Sequence, residues 1–139
     1  PVKYRDARVS VTVTSQDQSV VAEAAVLIAP NDPLVLVYRN DPLLGPLYGT
    51  ALPRNIRLSG TEETFRAVPY HFSANPSITW SVNNTVSDTD ADLTVRAAGS
   101  GAGTALVNVA VQSADRLQSA GATLSVSFGS ASGFSFFGL

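Results

Sequence analysis

Three aspartates at alternate positions are the residues in this 139-residue chain whose spacing comes nearest to a binding motif: Asp88, Asp90 and Asp92. Oxygen ligands spaced in this way bind calcium when the backbone curls around the ion. An EF-hand loop that begins at Asp88 needs a glycine at its sixth position and a glutamate at its twelfth, where this chain has Leu93 and Gly99. We therefore interpret the run as a solvated turn leading into the strand of Leu93, with calcium binding as the alternative.

The side chains that commonly serve in catalysis are not arranged for it. The single histidine, His71, lies between Tyr70 and Phe72, and there is no cysteine for it to activate. No G-x-S-x-G elbow marks a serine nucleophile. Glu62 and Glu63 are adjacent, so on a strand they face opposite sides and make a poor acid-base pair. The sequence predicts no enzyme activity, no catalytic residue, no bound metal and no cofactor.

Two short motifs have a structural explanation. The GSGAG run at 99–103 lacks the lysine and the strand-to-helix context of a phosphate-binding loop, so it is interpreted as a turn before a strand. Asn83, Asn84 and Thr85 form an N-x-T glycosylation signal, which matters only in a host that can use it. Neither motif predicts a ligand.

Composition excludes several classes of protein. Nine basic and eleven acidic residues give a net charge of -2 without charge runs, which leaves no surface able to neutralise several phosphates and excludes nucleic acid as a partner. The absence of cysteine excludes a disulfide framework. No apolar run approaches the roughly 18 residues of a membrane helix, so no membrane span is predicted in this chain. Because it begins at Pro1 and contains no methionine, we expect a processed product or a fragment.

The positions that carry these motifs lie among strands, because apolar and polar residues alternate along most of the chain. Val9, Val11 and Val13 alternate with polar residues, a turn follows at 15–19, and a second alternating run ends at Ile28. This pattern predicts a β-hairpin.

The same hairpin pattern recurs 98 residues later. Residues 7–28 align without gaps on residues 105–126 with 8 identities in 22, and the turn residues Ser15 and Asp17 match Ser113 and Asp115. A sandwich of two antiparallel sheets takes about 100 residues. Two equivalent hairpins at this distance are therefore expected of consecutive domains of that type.

Short alternating segments between the hairpins complete the predicted fold. They lie at 34–38, 55–60, 63–72, 77–84 and 91–99, separated by turn residues. Trp80 is expected to pack between two sheets, and its predicted neighbours are Val95, Val107, Val109 and Leu124. The sequence predicts an all-β, immunoglobulin-like antiparallel β-sandwich.

At these residues the chain resembles a known class of repeat. SITWSVNN at 77–84 and the stretch from DLTVRAAG to TLSVSF at 92–128 resemble bacterial immunoglobulin-like repeats of the PKD and Big types. A second resemblance, carried by PLLGPLYGTAL, RAVPYHFS and GFSFFGL, is to uncharacterised surface proteins of small-genome candidate-phylum bacteria. Both imply an extracellular or cell-surface location, and neither implies any functional residue.

The predicted organisation has four parts. Residues 1–29 are expected to be the terminal hairpin of a truncated preceding domain and 30–33 a linker; 34–129 form the complete sandwich and 130–139 an apolar tail that docks onto protein. The expected function is that of a structural spacer next to further immunoglobulin-like domains. The alternative is a recognition module that binds glycan or protein through sandwich-end loops, with Tyr38, Tyr48, Tyr70 and the terminal phenylalanines Phe134, Phe136 and Phe137 as its available aromatics. Because the hairpin lacks a partner sheet, we also expect a homo-oligomer or filament formed by strand addition, with folding of the hairpin back onto the complete sandwich as the alternative.

Overall fold

The chain divides between Asp32 and Pro33 into two compact units, each made of β-strands. The structure is a computed structural model that describes residues 6–99 and 101–129. Every regular element in these ranges is a strand, which confirms the all-β prediction. Accordingly, these ranges contain no helix with the length and apolarity to cross a membrane. The tail predicted at 130–139 lies outside the described residues.

The first unit is a two-stranded antiparallel hairpin of β1 (Ala7–Thr14) and β2 (Val21–Ile28). Ala7 lies opposite Ile28 and Thr14 opposite Val21, so alternate residues of both strands share a face. One face is wholly apolar and consists of Ala7, Val9, Val11, Val13, Ala22, Ala24, Val26 and Ile28. All sixteen strand residues are exposed, including those of this face.

The β1–β2 turn is held by one carboxylate. Asp17 Oδ1 accepts hydrogen bonds from the Ser15 hydroxyl at 2.6 Å and from the Ser19 amide at 3.2 Å. The Ser15 amide donates to the Val20 carbonyl at 2.9 Å, which closes the loop. Because these donors favour the ionised form, the serine hydroxyls first of all, the pKa of Asp17 is lowered from 3.8 to about 2.

The described residues of the second unit form nine strands in two sheets. In chain order they are β3 (Leu34–Asp41), β4 (Gly45–Pro46), β5 (Asn55–Arg57), β6 (Glu62–Tyr70), β7 (Ser77–Val82), β8 (Thr85–Asp88), β9 (Asp92–Arg96), β10 (Gly103–Gln112) and β11 (Ser119–Phe128). One sheet has the order β5-β11-β10-β7-β8 and the other β4-β3-β6-β9. All pairs are antiparallel except β5 with β11.

Strand β8 is an element that the sequence does not predict, as is the two-residue β4. Asn83 and Asn84 both adopt left-handed backbone conformations, with φ of 49° and 67°, and so form the tight turn that returns β8 beside β7. Two consecutive left-handed residues are typical of two-residue hairpin loops, and asparagine tolerates this conformation well. The strand itself is short and exposed, so no alternation indicates it.

Both sheets of the second unit contribute to one hydrophobic core. The most deeply buried large side chains are those of Trp80, Phe65, Val107, Val111 and Val126. The core includes the predicted neighbours of Trp80, namely Val95, Val107, Val109 and Leu124. The Trp80 indole Nε1 donates to the Asp90 carbonyl at 3.0 Å, so the polar atom of this buried side chain has a partner.

The chain enters and leaves the second unit at opposite ends. Residues 35–37 of β3 line the same cleft as residues 121–124 of β11, and Arg39 Nη2 donates to the Arg57 carbonyl at 3.4 Å. Arg57 lies opposite Ser127 in the parallel β5–β11 pair. Strands β3 and β11 therefore run in the same direction, with Leu34 at one end of the unit and Phe128 at the other.

We expect the replacement Trp80→Ala to lower the free energy of unfolding by about 3–5 kcal/mol, because it leaves a large cavity in the core. Trp80→Phe keeps most of the packing but leaves the Asp90 carbonyl without its donor, so it should cost less. Val86→Ala, at a side chain that is 66% exposed, is the control and should change little. Urea denaturation measures all three, and a loss below about 1 kcal/mol for Trp80→Ala contradicts the central role of this side chain.

The lowered pKa of Asp17 predicts a pH dependence of the β1–β2 turn. The ionised carboxylate stabilises the turn at pH values above its ordinary pKa of 3.8, and this contribution is lost as the pH falls through about 2. An NMR titration of the Asp17 carboxyl carbon should give a midpoint near 2. Ser19→Ala should raise that midpoint toward 3.8, whereas Ser10→Ala, on the strand, should leave it unchanged. A midpoint of about 4 in the unaltered chain contradicts the hydrogen bonding described for the turn.

Candidate functional site

Two of the three candidate calcium ligands have separate structural roles. Asp88, at the end of β8, accepts from the amides of Thr89 and Asp90 at 2.7 and 3.1 Å and so caps the turn. Asp92, at the start of β9, binds Arg66 with both carboxylate oxygens, at 2.8 and 2.6 Å. Within residues 6–99 and 101–129, no three histidine or acidic side chains are grouped to hold a metal ion. The geometry agrees with a turn leading into the strand of Leu93.

His71 lies exposed just after β6, in a left-handed conformation with φ of 63°. Its carbonyl accepts from Gln118 Nε2 at 3.2 Å, and Gln118 Oε1 accepts from the Ser73 amide at 2.7 Å. In the described ranges, no hydrogen bond joins the His71 imidazole to a serine or an acidic residue. The histidine backbone thus helps to hold the β10–β11 turn against the loop that follows β6.

Glu62 and Glu63 point to opposite sides of β6, as expected for neighbours on a strand. Glu62 forms an ion pair with Arg96, whose Nε donates at 2.6 Å, and both side chains are substantially exposed. Glu63 forms an ion pair with Arg39, and its side chain is only 9% exposed. Each carboxylate therefore has its own cationic partner, and the two do not face a common substrate position.

The N-x-T signal lies on the β7–β8 turn. Asn83 is exposed. Its side-chain carbonyl accepts from the Leu106 backbone amide at 2.9 Å, and its backbone amide donates to the Leu106 carbonyl at 2.8 Å. This pair of bonds ties the turn to β10. The GSGAG run ends at Gly103, where β10 begins, so its described residues lead into a strand, as predicted.

A polar and aromatic cluster on the four-stranded sheet is the feature that the motif search did not find. It lies on the face opposite Phe65 and Ala67 and consists of Tyr38, Asn40, Tyr48, Arg66, Tyr70 and Asp92. Asn40 Nδ2 donates to Asp92 Oδ1 at 3.1 Å, beside the Arg66 pair. The hydrogen bonds to Asp92 raise the pKa of the Arg66 guanidinium, although partial burial opposes them. The sheet register brings together the members on β3, β6 and β9, and the segment after β4 adds Tyr48.

The tyrosines of this cluster do not form a sugar-stacking platform. Tyr38 is only 5% exposed, so the expectation that it is available at the surface is wrong. Its ring meets Tyr48 edge to face, with centroids 5.3 Å apart, because the segment after β4 folds back over β3. The Tyr38 hydroxyl lies 3.2 Å from that of Tyr70, and this hydrogen bond raises the pKa of Tyr38. Tyr48 alone of this group is exposed, which leaves one stacking face where a sugar site commonly uses two.

A cleft of about 560 Å³ lies where the segment between β4 and β5 passes from one sheet to the other. Its walls include Leu47, Leu52 and Ile56, with Arg39 and Arg57 at the polar side. Arg39 is paired with Glu63, and Arg57 Nη2 donates to the Gly129 carbonyl at 3.0 Å. The cleft brings together apolar side chains and two engaged cations, and its lining residues include no histidine, cysteine, lysine or acidic side chain that could activate the Thr50 hydroxyl.

No protein-family model, curated protein or solved structure matches the chain.

The Arg66–Asp92 pair is expected to contribute more to stability than the exposed Arg96–Glu62 pair. Asp92→Asn removes a two-bond contact that is about two-thirds shielded, and we expect a loss of about 1–2 kcal/mol after solvent screening. Glu62→Gln, the matched change in a more exposed pair on the same sheet, should cost less than about 0.5 kcal/mol. Urea denaturation at low and high salt measures both, and equal losses contradict the structural role given to Asp92.

Proposed function

We propose that this chain is a non-enzymatic structural spacer of a bacterial surface or secreted protein, built on an immunoglobulin-like β-sandwich of the PKD and Big kind. The strand order supports this proposal. Strands β3, β6 and β9 face β11, β10, β7 and β8, which corresponds to the A-B-E and G-F-C-C′ sheets of immunoglobulin-like domains. Trp80 lies on β7, in the place of the core tryptophan of strand C.

The observation that carries the spacer function is that the chain enters and leaves the second unit at opposite ends. A unit joined to its neighbours at Leu34 and Phe128 adds its full strand length to the axis of a larger protein. The ten residues of β10 correspond to about 34 Å. A spacer gains its reach from this arrangement.

The parallel β5–β11 pair is suited to bearing tension. The Leu58 amide donates to the Ser127 carbonyl at 2.9 Å, and the Ser125 amide donates to the Arg54 carbonyl at 2.6 Å. Tension applied along the strands loads these bonds in shear, so several must break together. Bonds at a sheet edge that is pulled sideways break one after another and resist less.

The recognition alternative depends on exposed loops at the ends of the sandwich. Leu43 and Leu44 at the β3–β4 turn are 94% and 79% exposed, and Leu117 at the β10–β11 turn is 80% exposed, so these large apolar side chains are accessible for a protein contact. The described aromatics favour the spacer, since Trp80 and Tyr38 are buried.

Single-molecule pulling tests the spacer function. Because the chain has no cysteine, introduced cysteines give unique attachment points. When the full chain is pulled between residues 32 and 129, we expect one abrupt rupture with a length gain of roughly 30 nm, from the extended length of residues 34–128.

The control for this experiment changes only the direction of force. Handles at Asn55 and Ser87, on the two edge strands of the five-stranded sheet, pull across the strands. We expect the end-to-end rupture force to be severalfold higher than the force across the sheet. Gradual extension without a peak, or equal forces in the two directions, contradicts the spacer function and favours recognition.

A further inference from the structure

The two hairpins of the chain have the same turn and the same strand register. Ala7 pairs with Ile28 in the first, and the corresponding Ala105 pairs with Val126 in the second. In both turns a serine hydroxyl donates to the aspartate two residues later, and the serine amide donates at 2.9 Å to the carbonyl five residues later. Gln18 and its counterpart Arg116 are both left-handed, with φ of 57° and 60°.

The identities between the hairpins lie on one face and in the turn. Six of the eight residues of the apolar β1–β2 face are identical in β10–β11, and the remaining two identities are the turn serine and aspartate. None of the eight opposite-face positions is identical. Alternation alone makes the apolar faces of two valine-rich hairpins similar, but it does not require the same alanine positions, the same turn length or the same turn residues. The matching face is therefore the part of the hairpin that has a specific packing role.

The structure shows how the second copy of this face is used. In β10–β11 it is buried against the inward residues of the four-stranded sheet, which are Val35, Val37, Phe65, Ala67, Leu93 and Val95. The same positions in β1, namely Val9, Val11 and Val13, are 46%, 58% and 62% exposed. An apolar face of this extent is typical of a surface that another structure covers.

We propose that the apolar face of β1–β2 is an interaction surface for one partner: a β-sheet of a second unit of this kind, with an inward face like that of β3, β6 and β9. The inference rests on the proposed immunoglobulin-like module. The partner is identified by its surface, because a β3–β6–β9 face packs against apolar residues of the kind that β1–β2 carries.

A second copy of the described chain is a poorer fit for this surface. Its own four-stranded sheet is already covered by β10–β11, which β5 and the hydrogen bonds of Gln118 hold in place. Strand addition at the hairpin edges satisfies backbone groups but leaves the valine face in water. A β3–β6–β9 face that no other hairpin covers would bury the valine face of β1–β2, which neither a second copy of the chain nor strand addition does.

A lengthened protein tests the proposal directly. A copy of residues 33–104 is joined directly to residue 7 of the chain. In this protein β1–β2 follows the added segment in the same way that β10–β11 follows residues 33–104 in the unaltered chain. We expect the amides of β1 and β2 to exchange with solvent at least about 100-fold more slowly than in the unaltered chain, in a monomer by light scattering. Exchange as fast as in the unaltered chain overturns the proposal.

Two neighbouring substitutions in the lengthened protein provide the matched control. Val11→Asp, on the apolar face, should abolish the added protection, whereas Thr12→Asp, on the opposite face, should preserve it. Equal effects overturn the proposal, and so does protection in the unaltered chain that disappears on dilution, because a second copy then covers the face.

A second variant keeps the test decisive if the added segment does not fold. The matching faces differ at two positions, so Leu124→Val with Val126→Ile gives β10–β11 the face of β1–β2. We expect a melting-temperature shift below about 8 °C, and unfolding of this variant overturns the proposal. Pulling on residues 32–129 reports on the spacer function alone, so its failure is distinguishable from failure of the surface.

Discussion

Burial of the valine face of β10 and β11 against the opposite sheet is the interaction on which the second unit depends. Val107 and Val126 are completely shielded, and they lie in the centre of the core with Trp80 and Phe65. Because side chains alternate along a strand, a slip of one residue would turn this whole face toward water. The register of the hairpin, the positions of the turns and the exposure of the opposite face all follow from this requirement.

The strands and the core were predictable from sequence because both follow from local alternation. The burial of Trp80 and the equivalence of the two turns could also be predicted, the first from its strand position and the second from matching serine and aspartate residues. Strand β8 could not be predicted, since its four residues are exposed and are positioned by the asparagine turn. The burial of Tyr38 could not be predicted. Tyr38 faces outward from its sheet and is covered by a segment that begins after Pro46, and no local pattern indicates such coverage. The Arg66–Asp92 pair joins residues on separate strands, so only the sheet register reveals it.

The two hairpins show which structural features depend on their own sequence and which depend on the elements packed around them. Their turns and registers agree because these depend on residues within each hairpin. Their burial differs because it depends on a sheet that lies beside one of them. Val11 and Val109 are equivalent in sequence and pairing, yet one is 58% exposed and the other 2%. The second hairpin also contacts the loop that follows β6, through the side chain of Gln118.

The duplicated face also makes the order of synthesis important. During translation the first hairpin emerges before β3, β6 and β9, and β10–β11 emerges last. Until β10–β11 has been synthesised, the four-stranded sheet has an exposed apolar face. The first hairpin is already present in the same chain, and six of the eight residues on its apolar face are identical to those of β10–β11. The closing contacts of the native hairpin span long stretches of chain, as in the pairing of Asn55 with Ser125, and such contacts form slowly. Non-native pairing between similar segments is a characteristic folding error of repeat proteins. Gln118 and the part of β11 that pairs with β5 distinguish β10–β11 from β1–β2. These residues therefore also favour packing of β10–β11, rather than β1–β2, on the four-stranded sheet.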